Sequence, residues 1–237
     1  MSALYVHIPF CQHICTYCDF CKVFYNEKWA WQYLDALAFE IQQKQLSHDY
    51  KTIYIGGGTP TALTYEQLQY LFELLKPYAH HCQEWSMEMN PETMNHEKLE
   101  LCVQNGVNRL SIGVQTFHNH LLKKIGRVHT CEQVKSFILE AQNKGVQDIN
   151  IDLMYGLPEQ TIQDVCEDID ELVKLKVGHV SYYSLILEDH TILKNEHYQP
   201  LDDEEDAKIY ALIRERLQQH GYHQYEVSNF YAYKPSL

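Results

Sequence analysis

The chain has 237 residues, 45% of them hydrophobic, and a formal net charge of −13, enough apolar material for one sizeable core. That acidity excludes a surface built to neutralise phosphates, so no nucleic-acid partner is expected. No run approaches the roughly 18 apolar residues of a membrane span, so no transmembrane segment is expected either. Eight cysteines without a secretory signal ahead of them indicate a reducing compartment, the cytoplasm.

In chain order, short β-rich runs alternate with longer segments of helical period. Leu4–Ile8 is the first predicted strand, and Cys11, Cys15, Cys18 and Cys21 follow directly. Further strands are expected at Thr52–Ile55, Glu84–Met89, Arg109–Gly113, Asp148–Leu153 and His179–Ser184. Thr64 and Gln67 form a capping box ahead of the apolar face Leu68, Leu71, Phe72 and Leu75, with Pro77 as the stop. The same device recurs at Thr130 and Gln133, closed by Gly145, and at Thr161 and Asp164. Asn105–Gly106 and Gly178 read as further helix ends. Six βα units result, and right-handed crossovers wind them into a parallel sheet with the helices outside. The expected architecture is α/β, an open, partial (β/α)6 version of the eight-fold barrel, with ligands at the C-terminal strand ends.

The cysteine spacing is C-x3-C-x2-C. Soft thiolates this close suit an iron–sulfur cluster or zinc. A structural zinc site usually separates its two ligand pairs by a longer loop, and no such gap exists here. Cys82, Cys102, Cys131 and Cys166 read as small buried residues. After the second strand, Gly56, Gly57 and Gly58 precede Thr59 and Pro60, where a backbone without Cβ atoms can approach a ligand closely. The run lacks the lysine of a phosphate loop and the spacing of a dinucleotide fingerprint. Glu88 ends the third strand, whereas Pro91 and Glu92 read as helix entry. Gln115 ends the fourth strand and offers donor and acceptor; Arg127 supplies a guanidinium able to clamp a carboxylate; Asp152 lies in the fifth strand.

This series resembles the radical S-adenosylmethionine (SAM) enzymes, and within them the coproporphyrinogen III dehydrogenase branch with its close relatives, the HemW haem chaperones; the match runs from Tyr5 to about Phe230. The resemblance implies that Cys11, Cys15 and Cys18 hold three irons of a [4Fe-4S] cluster, with Cys21 spare. The fourth iron is then open to SAM. It implies SAM contacts at Gly57, Gly58, Thr59, Glu88, Gln115, Arg127 and Asp152, and at Tyr5 and Tyr17, which ordinary packing would equally explain. Reductive cleavage of SAM, which such sites perform, needs a one-electron reductant.

Two details favour the chaperones over the dehydrogenases: Phe20 precedes a displaced Cys21, and Ser184–Thr191 and Tyr225–Phe230 resemble chaperone segments. The implied cargo is haem, passed to acceptor proteins. The alternative is oxidative decarboxylation of coproporphyrinogen III. A barrel over residues 1–200 and the start of a C-terminal extension over 201–237 are expected, the family's C-terminal domain being missing from the sequence.

Overall fold

The structure is a computed structural model that describes residues 2–232 apart from 45, 48 and 147. The first strand, β1 (Ala3–Ile8), leads into a short ladder in which β2 (Phe10–Cys11) pairs in parallel with β3 (Val23–Phe24). Then come α1 (Glu27–Lys44), β4 (Thr52–Gly57), α2 (Tyr65–Leu75), β5 (Glu84–Met89), α3 (His96–Gln104) and β6 (Arg109–Gln115). The second half runs α4 (Asn119–Lys124), α5 (Cys131–Asn143), β7 (Asp148–Tyr155), α6 (Ile162–Leu175), β8 (His179–Ser184), α7 (Ile192–Asn195), α8 (Asp203–Gln219), β9 (His223–Gln224) and β10 (Asn229–Tyr231).

The main sheet has the order β1-β4-β5-β6-β7-β8-β10-β9. Its first six strands are all parallel, and β10 and β9 add an antiparallel end beside β8. This is the expected α/β partial barrel. Residues 201–232 join it directly, since β10 extends the sheet, while the last five residues of the expected 201–237 extension lie outside the described ones.

The helices form for local reasons. All three capping boxes are present: at Thr64, Thr130 and Thr161 the side chain accepts from the third residue's N–H, and that residue's side chain accepts in return. The buried faces of α2 and α5 are the predicted ones, Leu68, Leu71, Phe72 and Leu75 on one and Val134, Phe137, Ile138 and Ala141 on the other. At the end of α6 the left-handed cap falls on Lys176, not on Gly178. Pro91 and Glu92 do not enter a helix. Asn95 caps α3 by accepting from the Lys98 N–H, and residues 91–93 form a turn.

The core fills the space between sheet and helices, with Ile8, Ile53, Ile55, Met87, Leu110, Ile112, Ile151 and Val180 shielded from solvent on the strands. A smaller apolar cluster of Leu121, Ile125, Met154, Leu157, Leu185 and Leu193 lies apart, with Tyr17 packed against it.

Candidate metal and cofactor site

The cysteine loop is held at the C-terminal end of β1. The β2–β3 ladder closes its base, helped by bonds from Val23 N–H to Pro9 O at 2.7 Å and from Tyr25 N–H to Cys11 O at 2.8 Å. The loop's far side is pinned by Thr16 N–H to Ile125 O at 3.2 Å. Within it, the Lys22 ammonium donates to the carbonyls of Cys18 at 2.6 Å and Phe20 at 3.1 Å. Cys11 is buried, Cys15 and Cys18 are half-buried, Cys21 is exposed, and all four are free thiols. Burial pushes the Cys11 and Cys18 thiols up, so a bound cation is what would deprotonate them.

The glycine run lies against this loop. Gly58 N–H donates to Ile8 O at 2.9 Å and Thr59 N–H to Phe10 O at 2.8 Å. Gly57 has φ +120°, and a Cβ there would stand 2.8 Å from the His7 ring and 2.9 Å from Ile8 O. Only glycine fits that backbone. Thr59 is buried, and its hydroxyl lies 3.4 Å from Cys11 Sγ.

From Thr59 a continuous polar chain crosses the strand ends. Asn90 Nδ2 donates to Thr59 Oγ1 at 3.0 Å, and Asn90 Oδ1 accepts from Arg127 Nη2 at 2.9 Å. Arg127 Nη1 then donates to Cys15 Sγ at 3.6 Å. Two cysteines of the loop, Cys11 and Cys15, are thus joined through the ends of β4 and β5 and the turn after α4. Arg127 Nη2 also donates to Gly113 O at 2.6 Å and to Glu92 Oε2 at 3.4 Å. Burial alone would raise the Glu92 pKa, but the neighbouring His129 and Arg127 outweigh it and hold the carboxyl below its ordinary value.

A second group lies around Glu88. Its carboxylate accepts from Tyr54 OH at 2.7 Å and from Gly57 N–H at 3.0 Å, fastening the glycine turn to β5. Burial raises the Glu88 pKa against those two bonds. Tyr5 stacks on Tyr54 with ring centroids 6.0 Å apart, is exposed, and shares a 3.0 Å hydrogen bond with His7 Nδ1.

Deeper in the barrel, Asp152 Oδ1 accepts from Asn150 Nδ2 at 2.7 Å and Oδ2 from Ser111 Oγ at 3.3 Å. Burial first, then the charge of Glu88, pushes the Asp152 pKa up to about 7. Gln115 is buried beside a bulge in the β6–β7 pairing, with its backbone at φ +71°. A left-handed non-glycine residue is a strained feature that tends to mark working sites.

The strand ends therefore gather the cysteine loop, Gly57, Gly58, Thr59, Glu88 and Arg127 in one hydrogen-bonded region. Gln115 lies at its edge, Asp152 is electrostatically coupled to Glu88, and Tyr17 packs on the smaller apolar cluster beside Cys15 and Arg127. Sequence reading passed over Tyr54, Asn90 and His129 and took Glu92 for helix entry. The one signal available for Tyr54, Asn90 and Glu92 was their position near a strand's C-terminal end, whereas His129 lies between α4 and α5 and carried none.

A parallel partial barrel carrying a loop of closely spaced thiols beside a glycine-rich strand end is the architecture of a radical SAM protein. Residues 5–172 match the Radical SAM superfamily, and the chain belongs to that family. More narrowly, it is 43% identical to the heme chaperone HemW of Bacillus subtilis (strain 168), over 97% of this chain and 63% of that one. Identity to the heme chaperone HemW of Lactococcus lactis subsp. lactis (strain IL1403) is 41%, over 97% and 62%. The chain thus spans less than two thirds of the length of these relatives. Among solved structures, coproporphyrinogen III oxidase (HemN) from Escherichia coli, a radical SAM enzyme, superposes with a TM-score of 0.88 at 27% identity, over 97% of this chain and 55% of that one.

Membership implies a [4Fe-4S] cluster and SAM, and the residues present fit them. The donor set is the ground: free thiols gathered in one short loop are soft ligands of the kind that hold iron–sulfur clusters. No helix is long and apolar enough to cross a membrane among the described residues.

Proposed function

We propose that this chain is the cluster- and SAM-binding barrel of a haem chaperone. The observation that carries the cofactor half of this reading is the polar chain from Cys11 through Thr59, Asn90 and Arg127 to Cys15. It ties the thiol loop to the strand ends where a small ligand of this fold class binds. Similarity to the two heme chaperones over 97% of this chain supports the cargo half.

In this reading Cys11, Cys15 and Cys18 hold three irons and Cys21 is spare. When bound, a reduced cluster with one open iron supplies a docking point and one electron to SAM. The protein's own work is placement. Gly57, Gly58 and Thr59 let the methionine end of SAM come against the backbone, and Glu88, held by Tyr54 and Gly57, presents a fixed acceptor. Gln115 and Asp152 offer polar atoms further along the edge, Arg127 a positive charge, and Tyr5 and Tyr17 apolar cover that excludes water. An external one-electron reductant, haem as cargo, a haem-accepting protein and a reducing cytoplasmic setting complete the proposal.

The test is anaerobic reconstitution followed by EPR of the reduced protein with and without SAM, and then haem titration. A [4Fe-4S] signal altered by SAM, with stoichiometric haem binding, is the expected result. Carbon dioxide release from coproporphyrinogen III without haem binding would overturn the chaperone reading in favour of a decarboxylating dehydrogenase. A colourless protein holding one zinc would overturn the cofactor half.

A further inference from the structure

The guanidinium of Arg127 is almost wholly committed before any ligand arrives. Its side chain is 3% exposed. Nη2 faces three acceptors, Gly113 O at 2.6 Å, Asn90 Oδ1 at 2.9 Å and Glu92 Oε2 at 3.4 Å, and it has only two hydrogens to give. Nε donates to His129 Nδ1 at 3.4 Å. Of the five N–H groups in the fork, those on Nη1 remain, and Nη1 meets Cys15 Sγ at 3.6 Å.

The surroundings keep it aimed there. The His129 side chain is fully buried, and its Nε2 donates to Val114 O at 3.3 Å, because a carbonyl can only accept. Nδ1 is thereby left without a hydrogen and accepts from Arg127 Nε, while Glu92 Oε2 stands 3.2 Å from it and faces Arg127 Nη2 as well. Gly113 makes room for the fork. A Cβ on it would stand 2.8 Å from Asn90 Oδ1 and 3.6 Å from Arg127 Nη2. A buried cation held on three sides and open toward one sulfur is an arrangement that acts on that sulfur.

We propose that Arg127 tunes the cluster's reduction potential by donating from Nη1 to the sulfur of Cys15, and that His129 and Glu92 are positioning residues that aim it. This rests on the proposed assignment of Cys15 as an iron ligand. Reduction adds one electron to the cluster, and the added charge spreads onto its thiolate sulfurs. An N–H donor and a positive charge at that sulfur stabilise the reduced form and raise the potential. The low-dielectric surroundings strengthen the effect.

The experiment is a redox titration of the anaerobically reconstituted chain, followed by EPR without SAM, so that any contact between Arg127 and SAM plays no part. Iron content is measured first on every sample. Arg127→Gln is expected to keep its iron and to become at least tenfold harder to reduce, a downward shift of about 59 mV or more for a one-electron couple. His129→Leu is expected to shift the same way by less, and His129→Gln, which restores an acceptor for Nε, to return toward the wild-type value. An Arg127→Gln protein with full iron and an unchanged midpoint would overturn the proposal. Should Arg127→Gln fail to load iron, His129→Leu decides: a lowered midpoint supports the proposal, and an unchanged one overturns it. Wild-type protein that takes up no cluster would instead sink the cofactor reading itself.

Discussion

Asp168 gives the sharpest quantitative test of the fold around the site. It lies on α6 with no exposure to solvent, and its Oδ1 accepts from Phe117 N–H at 2.6 Å and Thr116 Oγ1 at 3.0 Å. It therefore pins the segment just beyond Gln115. Oδ2 has no hydrogen-bond partner. Burial, opposed by those two bonds, pushes the Asp168 pKa from 3.8 up to about 7. The native protein thus holds a proton here that the unfolded chain releases near pH 4. Stability from this group is fully present below the unfolded value and is lost as pH rises through about 7. The slope between is about 1.4 kcal/mol per pH unit, integrating to a ceiling of about 4 kcal/mol. Asp168→Asn keeps Oδ1 as acceptor, places an amide where Oδ2 was, and removes the charge. Urea unfolding of the cluster-free protein at half-unit steps from pH 4 to 8 should show the variant close to wild type at the acid end. It should be more stable by up to about 4 kcal/mol at the alkaline end. Parallel stability curves for the two proteins across that range would refute the argument.

Three further outcomes follow from the same contacts. Cys15→Ala is expected to lose the cluster's iron and visible absorbance on reconstitution, whereas Cys21→Ala, at the exposed position, retains both; equal loss in the two would undo the ligand assignment. Gly57→Ala forces a Cβ onto a φ of +120° and within 2.8 Å of His7, so its urea midpoint should fall by the equivalent of about 3 kcal/mol, and a wild-type midpoint would contradict the close-approach argument. Lys98 is buried, with its ammonium donating to Thr61 O at 2.9 Å and Thr93 O at 3.1 Å. Lys98→Met strands both carbonyls and should cost about 2 kcal/mol by the same assay.

What the sequence made legible is what depends on neighbours in the chain. Capping boxes act over three residues and a buried parallel strand is a short continuous β-rich run, so Thr64, Thr130 and Thr161 and the six parallel strands stood where the pattern put them. The cysteine spacing is likewise local. The residues that organise the site act across long separations. Asn90 bonds Thr59 across 31 positions and Arg127 across 37, and Arg127 reaches Cys15 across 112. No periodicity carries such pairings. Glu92 shows the failure most plainly: after a proline it reads as a helix start, yet the turn it occupies carries its carboxylate to Arg127 and His129. The short strands β9 and β10 were invisible for a related reason, since runs of two and three residues fall below any period.

The distribution of charge ties these parts together. The chain as a whole carries a net −13, yet two cations stand at the cysteine loop, Arg127 at Cys15 Sγ and Lys22 at the Cys18 and Phe20 carbonyls. Thiolates gathered on iron concentrate negative charge in a small volume, and burial makes that unfavourable unless cations lie close. The carboxyls Glu88 and Asp152 stand further along the strand ends, and both have pKa values raised by burial. A positively charged group beside either would offset that shift, since an opposite charge nearby favours the ionised form. SAM carries an ammonium and a sulfonium as well as a carboxylate. Cations at the thiol loop and carboxyls further along the strand ends give the edge of this barrel a charge polarity, and the proposed SAM site makes use of it.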